Sequence, residues 1–295
     1  MRADLHMHGP IGFEPYWLEV QGYKGKNLLE LIVNSCLNRG IDISAITSIT
    51  DQVDDTNKIP RNSIHDRLNH LTDNYAFSLP KDYKTDRLGK NIFIIHRDNK
   101  TVYLVNGQTP IVKEGEKRFD HLVIGSNEVP NFMNFRDTLA YCNDHGLAHG
   151  LEHPNVEAHF GVGLEKAVNL ASRCDFIEGH NAQLMLPRIF SLLPTIGQFT
   201  KNSNNKAKEF AREYNVPYIA TSDAHRIQDV GMAYIEFNKA LLNTSDEDRF
   251  IGSLRDIIIT DAFITVEGCE SLLGWINWIS KFQRGIRNER YKLDP

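Results

Sequence analysis

The chain has 295 residues, of which 41% are hydrophobic and 24% charged, a composition typical of an ordinary globular protein. The formal net charge of −5 excludes a global basic field that would draw the protein to DNA or membranes, but it leaves small anionic substrates open. No apolar run reaches membrane-spanning length, residues 1–30 lack a signal-peptide core, and the four cysteines are far apart. We therefore expect a cytoplasmic protein without disulfides.

Strands and helices alternate along the chain. Residues 2–6 predict a strand, 26–37 a helix ended by Gly40, and 41–50 a buried strand, which together make a parallel unit. Residues 51–90 are mostly polar, and we expect an insertion or lid with one helix near 63–75. Further strands are predicted at 92–96, 101–105, 121–124, 147–153, 175–178, 216–221 and 232–237, and further helices at 134–143, 165–172, 203–214 (capped by Asn202 or Ser203) and 246–257.

This alternation, with polar clusters at the strand ends, predicts an α/β fold, namely a (β/α) barrel with its site at the C-terminal ends of the strands. We assign residues 1–265 to the barrel and 266–295 to a C-terminal amphipathic helix with a basic tail. The apolar spacing between residues 272 and 286 predicts that this helix packs on the barrel. The alternatives are a homo-oligomer contact and a phosphate-rich partner.

Two histidines in Asp4-Leu5-His6-Met7-His8 give the first indication of a metal site. Residues i and i+2 of a strand point to the same side of a sheet, so both imidazoles could hold one ion. Asp4 lies on that side as well and could accept the second ring N–H of a ligating histidine. The alternative is a short strand with incidental polar residues.

Later positions repeat this chemistry. Asp51 follows the second predicted strand, His153 lies at a His-Pro turn, and Asp223 and His225 repeat the i, i+2 spacing at another strand end. Neutral imidazoles and carboxylates suit zinc, iron and manganese. Any one of the 12 histidines could be incidental, but two such pairs at opposite ends of an alternating chain favour a metal site.

Five motifs occur in an order that resembles a known family. They are Asp4-Leu5-His6-Met7-His8, Ile49-Thr50-Asp51-Gln52, Glu152-His153-Pro154-Asn155, Phe176-Ile177-Glu178-Gly179-His180-Asn181 and Thr221-Ser222-Asp223-Ala224-His225. In this order they resemble the PHP family, the polymerase-and-histidinol-phosphatase metal phosphoesterases, over residues 2–237. The resemblance implies a distorted, seven-stranded (β/α) barrel that holds up to three metal ions and hydrolyses phosphomonoesters or nucleic-acid ends.

The resemblance also implies the metal ligands residue by residue. His6 and His8 would share one metal with Asp223, while His153 would serve a second metal and His225 a third.

Other residues receive supporting roles. The resemblance implies that Asp51 is a carboxylate behind the metal ligands, and that Glu178 matches a strand end that is more structural than catalytic. Arg226 is a candidate phosphate contact, with an ordinary surface arginine as the alternative. His180 or His121 could protonate the leaving group, although a structural role is the stronger expectation for each.

The chain departs from the family pattern at three positions. Gln52 stands where the family usually has a histidine, and Thr109 stands where it often has a bridging glutamate. The family also often has a further histidine near the position of Asn127. An amide oxygen is a weak metal ligand, and threonine cannot replace a bridging carboxylate. Glu128 or Glu152 could compensate. We therefore expect one or two divalent ions per chain (zinc, manganese or iron) rather than three.

The implied reaction is hydrolysis of a phosphate ester by a metal-activated water, on a small phosphorylated substrate or nucleotide. A bound metal would supply the local positive charge that a net charge of −5 does not. Two alternatives remain. One is a catalytically weakened binding or scaffold protein that keeps the barrel, and the other is a nuclease acting on nucleic-acid ends, which the net charge does not favour.

Overall fold

Strands and helices alternate in the computed structural model, which describes residues 1–9, 11, 18–19, 21–49, 66–184, 196–269, 271, 273–274, 276 and 280. The strands are β1 Arg2–Met7, β2 Ile43–Ile49, β3 Tyr83–Leu88, β4 Ile92–Arg97, β5 Lys100–Thr109, β6 Ile111–Glu114, β7 Lys117–Ile124, β8 Ala148–Leu151, β9 Phe176–Asn181, β10 Tyr218–Thr221, β11 Tyr234–Phe237 and β12 Phe263–Val266. The helices are α1 Leu28–Arg39, α2 Arg67–Tyr75, α3 Phe135–Asp144, α4 Leu164–Ala167, α5 Lys201–Glu213 and α6 Glu247–Ile259.

Seven strands form a nearly closed barrel. They are hydrogen-bonded in the order β10-β9-β8-β7-β5-β2-β1. Neighbouring strands run parallel, except that β7 is antiparallel to both β5 and β8. A parallel bridge between Met7 and Ala224 closes the ring, and the Ala224 carbonyl accepts hydrogen bonds from the backbone N–H groups of His8 at 3.0 Å and Gly9 at 2.7 Å. This arrangement confirms the predicted distorted, seven-stranded barrel.

The helix ends follow local signals in the sequence. Gly40 ends α1 in the left-handed conformation, with φ of 68°, and its N–H donates to the carbonyls of Cys36 and Leu37. The side chains of Asn134 and Asp246 accept backbone N–H groups at the starts of α3 and α6.

Some boundaries and strands differ from the prediction. Helix α5 begins at Lys201 after Thr200, so the expectation that Asn202 or Ser203 caps it is wrong. Strands β3, β6 and β12 were not predicted, and each pairs antiparallel with a neighbour (β4, β7 and β11) at the margin of the barrel. Such short strands are specified by the partner they pair with, which the local sequence does not contain.

The described part of the expected insertion contributes to the core. Leu68 and Leu71 of α2 are fully buried, and with Tyr83 they belong to the same apolar cluster as the inner face of α1. Residues 66–90 therefore do not stand apart from the barrel. The lid role itself stays a prediction, because residues 51–65 lie outside the described part of the chain.

The C-terminal helix and basic tail fall mostly outside the described residues, so their packing and any homo-oligomer contact stay predictions. None of the described helices is both long and apolar enough to cross a membrane.

A pair of buried histidines lies between β7 and β8. His121 Nε2 and His149 Nδ1 are 3.2 Å apart, and the two residues are 0% and 1% exposed. Burial, and then the neighbouring imidazole, holds the pKa of His121 well below its usual value. Burial lowers the pKa of His149 to about 4, although the Asp175 carboxylate opposes this shift. Both rings are therefore neutral in the folded protein near pH 7.

We predict that replacing His149 with glutamine makes the protein less sensitive to acid. The unfolded chain takes up protons at histidine below about pH 6.5, whereas the folded chain does not until about pH 4, so stability falls as the pH drops. This one group accounts for a loss of about 2 kcal/mol between pH 7 and pH 5. Urea denaturation at both pH values, with chelator present, should show a loss smaller by about that amount in the variant.

The exposed His145 provides the matched control, since His145→Gln should lose as much stability on acidification as the wild type. Equal losses in His149→Gln and the wild type would contradict the assignment.

Candidate metal centre

Barrel closure brings together the two i, i+2 pairs of the sequence, His6 with His8 and Asp223 with His225. His6 and His8 project from β1 and its end, and Asp223 follows β10. The Nε2 atoms of His6 and His8 are 3.0 Å apart, and they lie 3.5 and 3.4 Å from Asp223 Oδ1. All three residues are less than 9% exposed. The predicted first metal position is therefore assembled as a compact, buried cluster.

Hydrogen bonds determine which ring nitrogens face this cluster. Nδ1 of His8 lies 3.0 Å from the Thr47 carbonyl oxygen, which can only accept, so this nitrogen carries the proton. Nδ1 of His6 lies 2.7 Å from Glu178 Oε1 and donates in the same way. In the neutral rings, both Nε2 atoms then point lone pairs at each other and at Asp223.

This donor set fits a divalent cation. Four ligand atoms placed tetrahedrally at 2.0–2.1 Å from an ion are about 3.4 Å apart, close to the 3.0–3.5 Å separations within the cluster. Oδ1 of Asp223 is buried and has no hydrogen-bond partner among the described residues. Its other oxygen accepts from Asn181 Nδ2 at 3.0 Å, which orients the carboxylate. His6, His8 and Asp223 could thus hold one ion.

Glu178 of β9 forms hydrogen bonds that orient the candidate ligands His6 and His153. Its Oε1 accepts from His6 and from Thr221 Oγ1 at 2.5 Å, and its Oε2 accepts from the backbone N–H of His153 at 2.8 Å. Burial acts to raise its pKa, but the charge and hydrogen bond of His6 outweigh it and lower the pKa to about 2. The sequence predicted that Glu178 lies at a structural strand end. In the structure, its hydrogen bonds directly position the His6 ring and the backbone at His153.

Asp4 has a different role from the one predicted. Its carboxylate accepts from Ser222 N at 3.0 Å, Ser222 Oγ at 2.5 Å and Gly231 N at 2.8 Å. The expectation that it fixes a ligating histidine is wrong, because Glu178 and Thr47 occupy the ring N–H groups. Asp4 instead ties β1 to the segment after β10 and so supports barrel closure.

The electrostatics of the cluster favour a positive charge. Burial acts to lower the pKa of His6, but the negative charges of Glu152, Asp223 and Glu178 hold it well above its usual value. For His8, burial and then the charge of His6 hold the pKa well below its usual value. The buried carboxylates that attract a proton to His6 will attract a metal cation in the same way.

A second group of ligand atoms lies beside the first. One ligand atom from each of Asp120, His153 and His159 lies within 4.8 Å of the others. Of these three the sequence predicted only His153, because Asp120 sits within β7 and His159 in a short 3-10 turn, positions without a ligand-spacing pattern. A carboxylate and two imidazoles could hold a second ion.

Local backbone strain marks both groups. His153 has φ of 23° and Asp223 has φ of 45°, values uncommon for residues other than glycine. Such strain persists where the surrounding structure holds it, often at ligand sites. Nearby in β8, Gly150 allows close approach to β9, because a Cβ there would lie 2.3 Å from the carbonyl oxygen of Phe176. Without a side chain at this position, β8 can pair with the start of β9.

The remaining predicted site residues are placed as follows. His225 lies against His8 with a ring-centroid distance of 5.0 Å, and its Nδ1 is 2.9 Å from the Asp223 carbonyl oxygen. No third ligand group forms around it within the described ranges. Asp51, with Gln52 beside it, lies outside the described residues, so its role stays a prediction.

Arg226 is engaged in a buried ion pair. Its guanidinium makes two hydrogen bonds of 2.7 Å to Asp229 and one of 3.0 Å to the carbonyl of Gly274. This geometry is that of a structural arginine that links the loop after β10 to the C-terminal segment. The phosphate contact stays a prediction that these bonds do not favour.

One of the two glutamates that could compensate for the three departures from the family pattern lies near the ligand groups. Thr109 is buried at the end of β5, and Asn127 follows β7. Glu128 is exposed and pairs with Lys90 at 2.6 Å, away from the ligand groups. Glu152 is 3% exposed, and its Oε1 lies 3.1 Å from His153 Nε2. Of the two glutamates the sequence offered, only Glu152 lies at the site.

The two candidate proton donors make other contacts. His180 Nε2 lies 2.7 Å from the carbonyl oxygen of Gly268, beyond the end of β12, and His121 contacts His149. Their described contacts are structural, in line with the stronger expectation for each.

Comparisons with known proteins agree with this fold. Residues 201–256 match a family model described as PHP-associated. The structure of PsfC from Pseudomonas syringae PB-5123 superposes with a TM-score of 0.56 at 13% identity, covering 97% of this chain and 98% of that one. A two-domain protein from Bacteroides vulgatus ATCC 8482, described as containing a predicted PHP-like metal-dependent phosphoesterase, has a TM-score of 0.51 at 15% identity. That match covers 91% of this chain and 65% of the other. No curated protein matched the sequence. The resemblance to PHP proteins is confirmed, and at these identities the structural matches establish the fold.

We predict that Glu178→Gln weakens divalent-metal binding about 10- to 100-fold. The amide removes the negative charge that keeps the proton on His6 Nδ1, so Nε2 is no longer held as a lone-pair donor. Competition against a chromophoric zinc chelator measures the affinity, and thermal unfolding checks the fold.

Glu165→Gln, at an exposed carboxylate, is the matched control and should bind as the wild type does. An unchanged affinity in a cooperatively folded Glu178→Gln would contradict the role assigned to this glutamate.

Proposed function

We propose that this chain is a divalent-metal-dependent hydrolase of phosphate esters, acting on a small phosphomonoester or a nucleotide-type substrate. The observation that carries the proposal is the convergence of two histidine Nε2 atoms on the unpartnered Asp223 oxygen, in a buried cluster of acceptors. A cation would satisfy the acceptors of this cluster, and imidazole with carboxylate suits zinc, manganese or iron. The PHP-like fold supports the choice of phosphate ester chemistry.

A divalent cation bound here supplies a water of lowered pKa and positive charge for the phosphoryl oxygens. The chain's own residues orient and shield this chemistry. Glu178 and the Thr47 carbonyl hold the two imidazoles with Nε2 inward, and Asn181 holds Asp223. Because these residues are buried, their charges act in a medium of lower dielectric than water, where electrostatic stabilisation is stronger.

His225 provides a route for protons at the edge of the cluster. Its side chain is 30% exposed, while that of His8 beside it is only 6% exposed. An imidazole in this position can pass a proton between a leaving group and solvent. The net charge of −5 supports a small substrate over a nucleic-acid polymer.

We predict that chelator-stripped protein is inactive, and that Mn²⁺ or Zn²⁺ restores hydrolysis in a panel of phosphomonoesters, nucleotides and oligonucleotides. His8→Ala and Asp223→Ala should each lower activity by at least about 100-fold, because each removes a ligand from the same ion. Both should keep a cooperative thermal transition, since these side chains lie at strand ends.

His96→Ala, on the hairpin of β4 and β5, is the matched control and should retain activity. Metal binding without hydrolysis across the panel would instead support a binding or scaffold protein, and hydrolysis of oligonucleotides alone would support a nuclease. A folded protein that binds no metal would overturn the proposal.

A further inference from the structure

Glu152 occupies the space between the two ligand groups. It follows β8 directly and is 3% exposed. Its Oε1 lies 3.1 Å from Nε2 of His153 in the second group and 3.6 Å from Nε2 of His6 in the first. Both distances approach the separation of about 3.4 Å between two ligands of one ion. One carboxylate oxygen is thus within ligand spacing of an imidazole from each group.

The bonding of this carboxylate is incomplete without a cation. Oε2 of Glu152 is buried and has no hydrogen-bond partner among the described residues, and the same holds for Nδ1 of His153. An unpartnered charged oxygen in a buried setting is costly.

We propose that Glu152 bridges two divalent cations, one held by His6, His8 and Asp223 and the other by Asp120, His153 and His159. The first set is buried, and the second opens outward through the exposed His159. The proposal deepens the metal-dependent function above. It concerns cation binding alone, however, so it can be measured without any substrate.

The test titrates chelator-stripped full-length protein with Mn²⁺ and follows binding by electron paramagnetic resonance. The wild type should bind two ions per chain and give an exchange-coupled spectrum, because a shared carboxylate transmits magnetic exchange between the two ions. Glu152→Gln should lose that coupling and weaken the second ion by at least about tenfold. Asp120→Asn should keep the first ion and show the uncoupled spectrum of a single Mn²⁺.

Glu128→Gln is the matched control, since this exposed glutamate pairs with Lys90, and it should bind two coupled ions. Circular dichroism checks the fold of each variant, and if Glu152→Gln does not fold, the wild-type spectrum and Asp120→Asn still decide. One ion per chain in the wild type, two uncoupled ions, or two coupled ions in Asp120→Asn or Glu152→Gln would each overturn the proposal. Two coupled ions with no hydrolysis of any phosphate ester would leave it standing while refuting the proposed function.

Discussion

The backbone contact that closes the barrel is the constraint on which the site depends. The carbonyl of Ala224 accepts from two consecutive N–H groups after β1, at His8 and Gly9, and so joins segments more than 200 residues apart. Asp4 reinforces this contact by accepting from Ser222 and Gly231. Because His6 and His8 come from β1 and its end, and Asp223 from the end of β10, these three candidate ligands meet only when the ring is closed.

Barrel closure also brings together buried carboxylates whose oxygens are not all hydrogen-bonded by the described residues. Glu152, Glu178 and Asp223 surround His6, and only Glu178 has both oxygens fully engaged in described hydrogen bonds. Buried carboxylates without partners destabilise a fold, and a cation that binds them offsets this cost. Under the proposed function, metal binding and stability would be linked in this chain, as they are wherever ligand groups converge in the folded state alone.

Local patterns in the sequence were sufficient for much of the architecture. The glycine after α1 and the capping Asn134 and Asp246 acted within one turn of their own helices, where the sequence can be read directly. The i, i+2 spacing identified His6 and His8 for the same reason. The marginal strands β3, β6 and β12 and the cap of α5 were missed or misplaced, because their positions depend on partners elsewhere in the chain.

The sequence by itself determined the alternation of elements and the candidate ligands His6, His8 and Asp223. It also determined that Gln52, Thr109 and Asn127 stand where the resembled family has other residues. Only the tertiary structure decided which acidic residues support that chemistry. Glu178 proved to hold His6, Asp4 to hold the barrel closed, and Glu152 to lie between two ligand groups. The reason is geometric: spacing along one strand reports which side chains share a face, whereas contacts between β1, β8 and β9 depend on the curvature and register of the whole sheet.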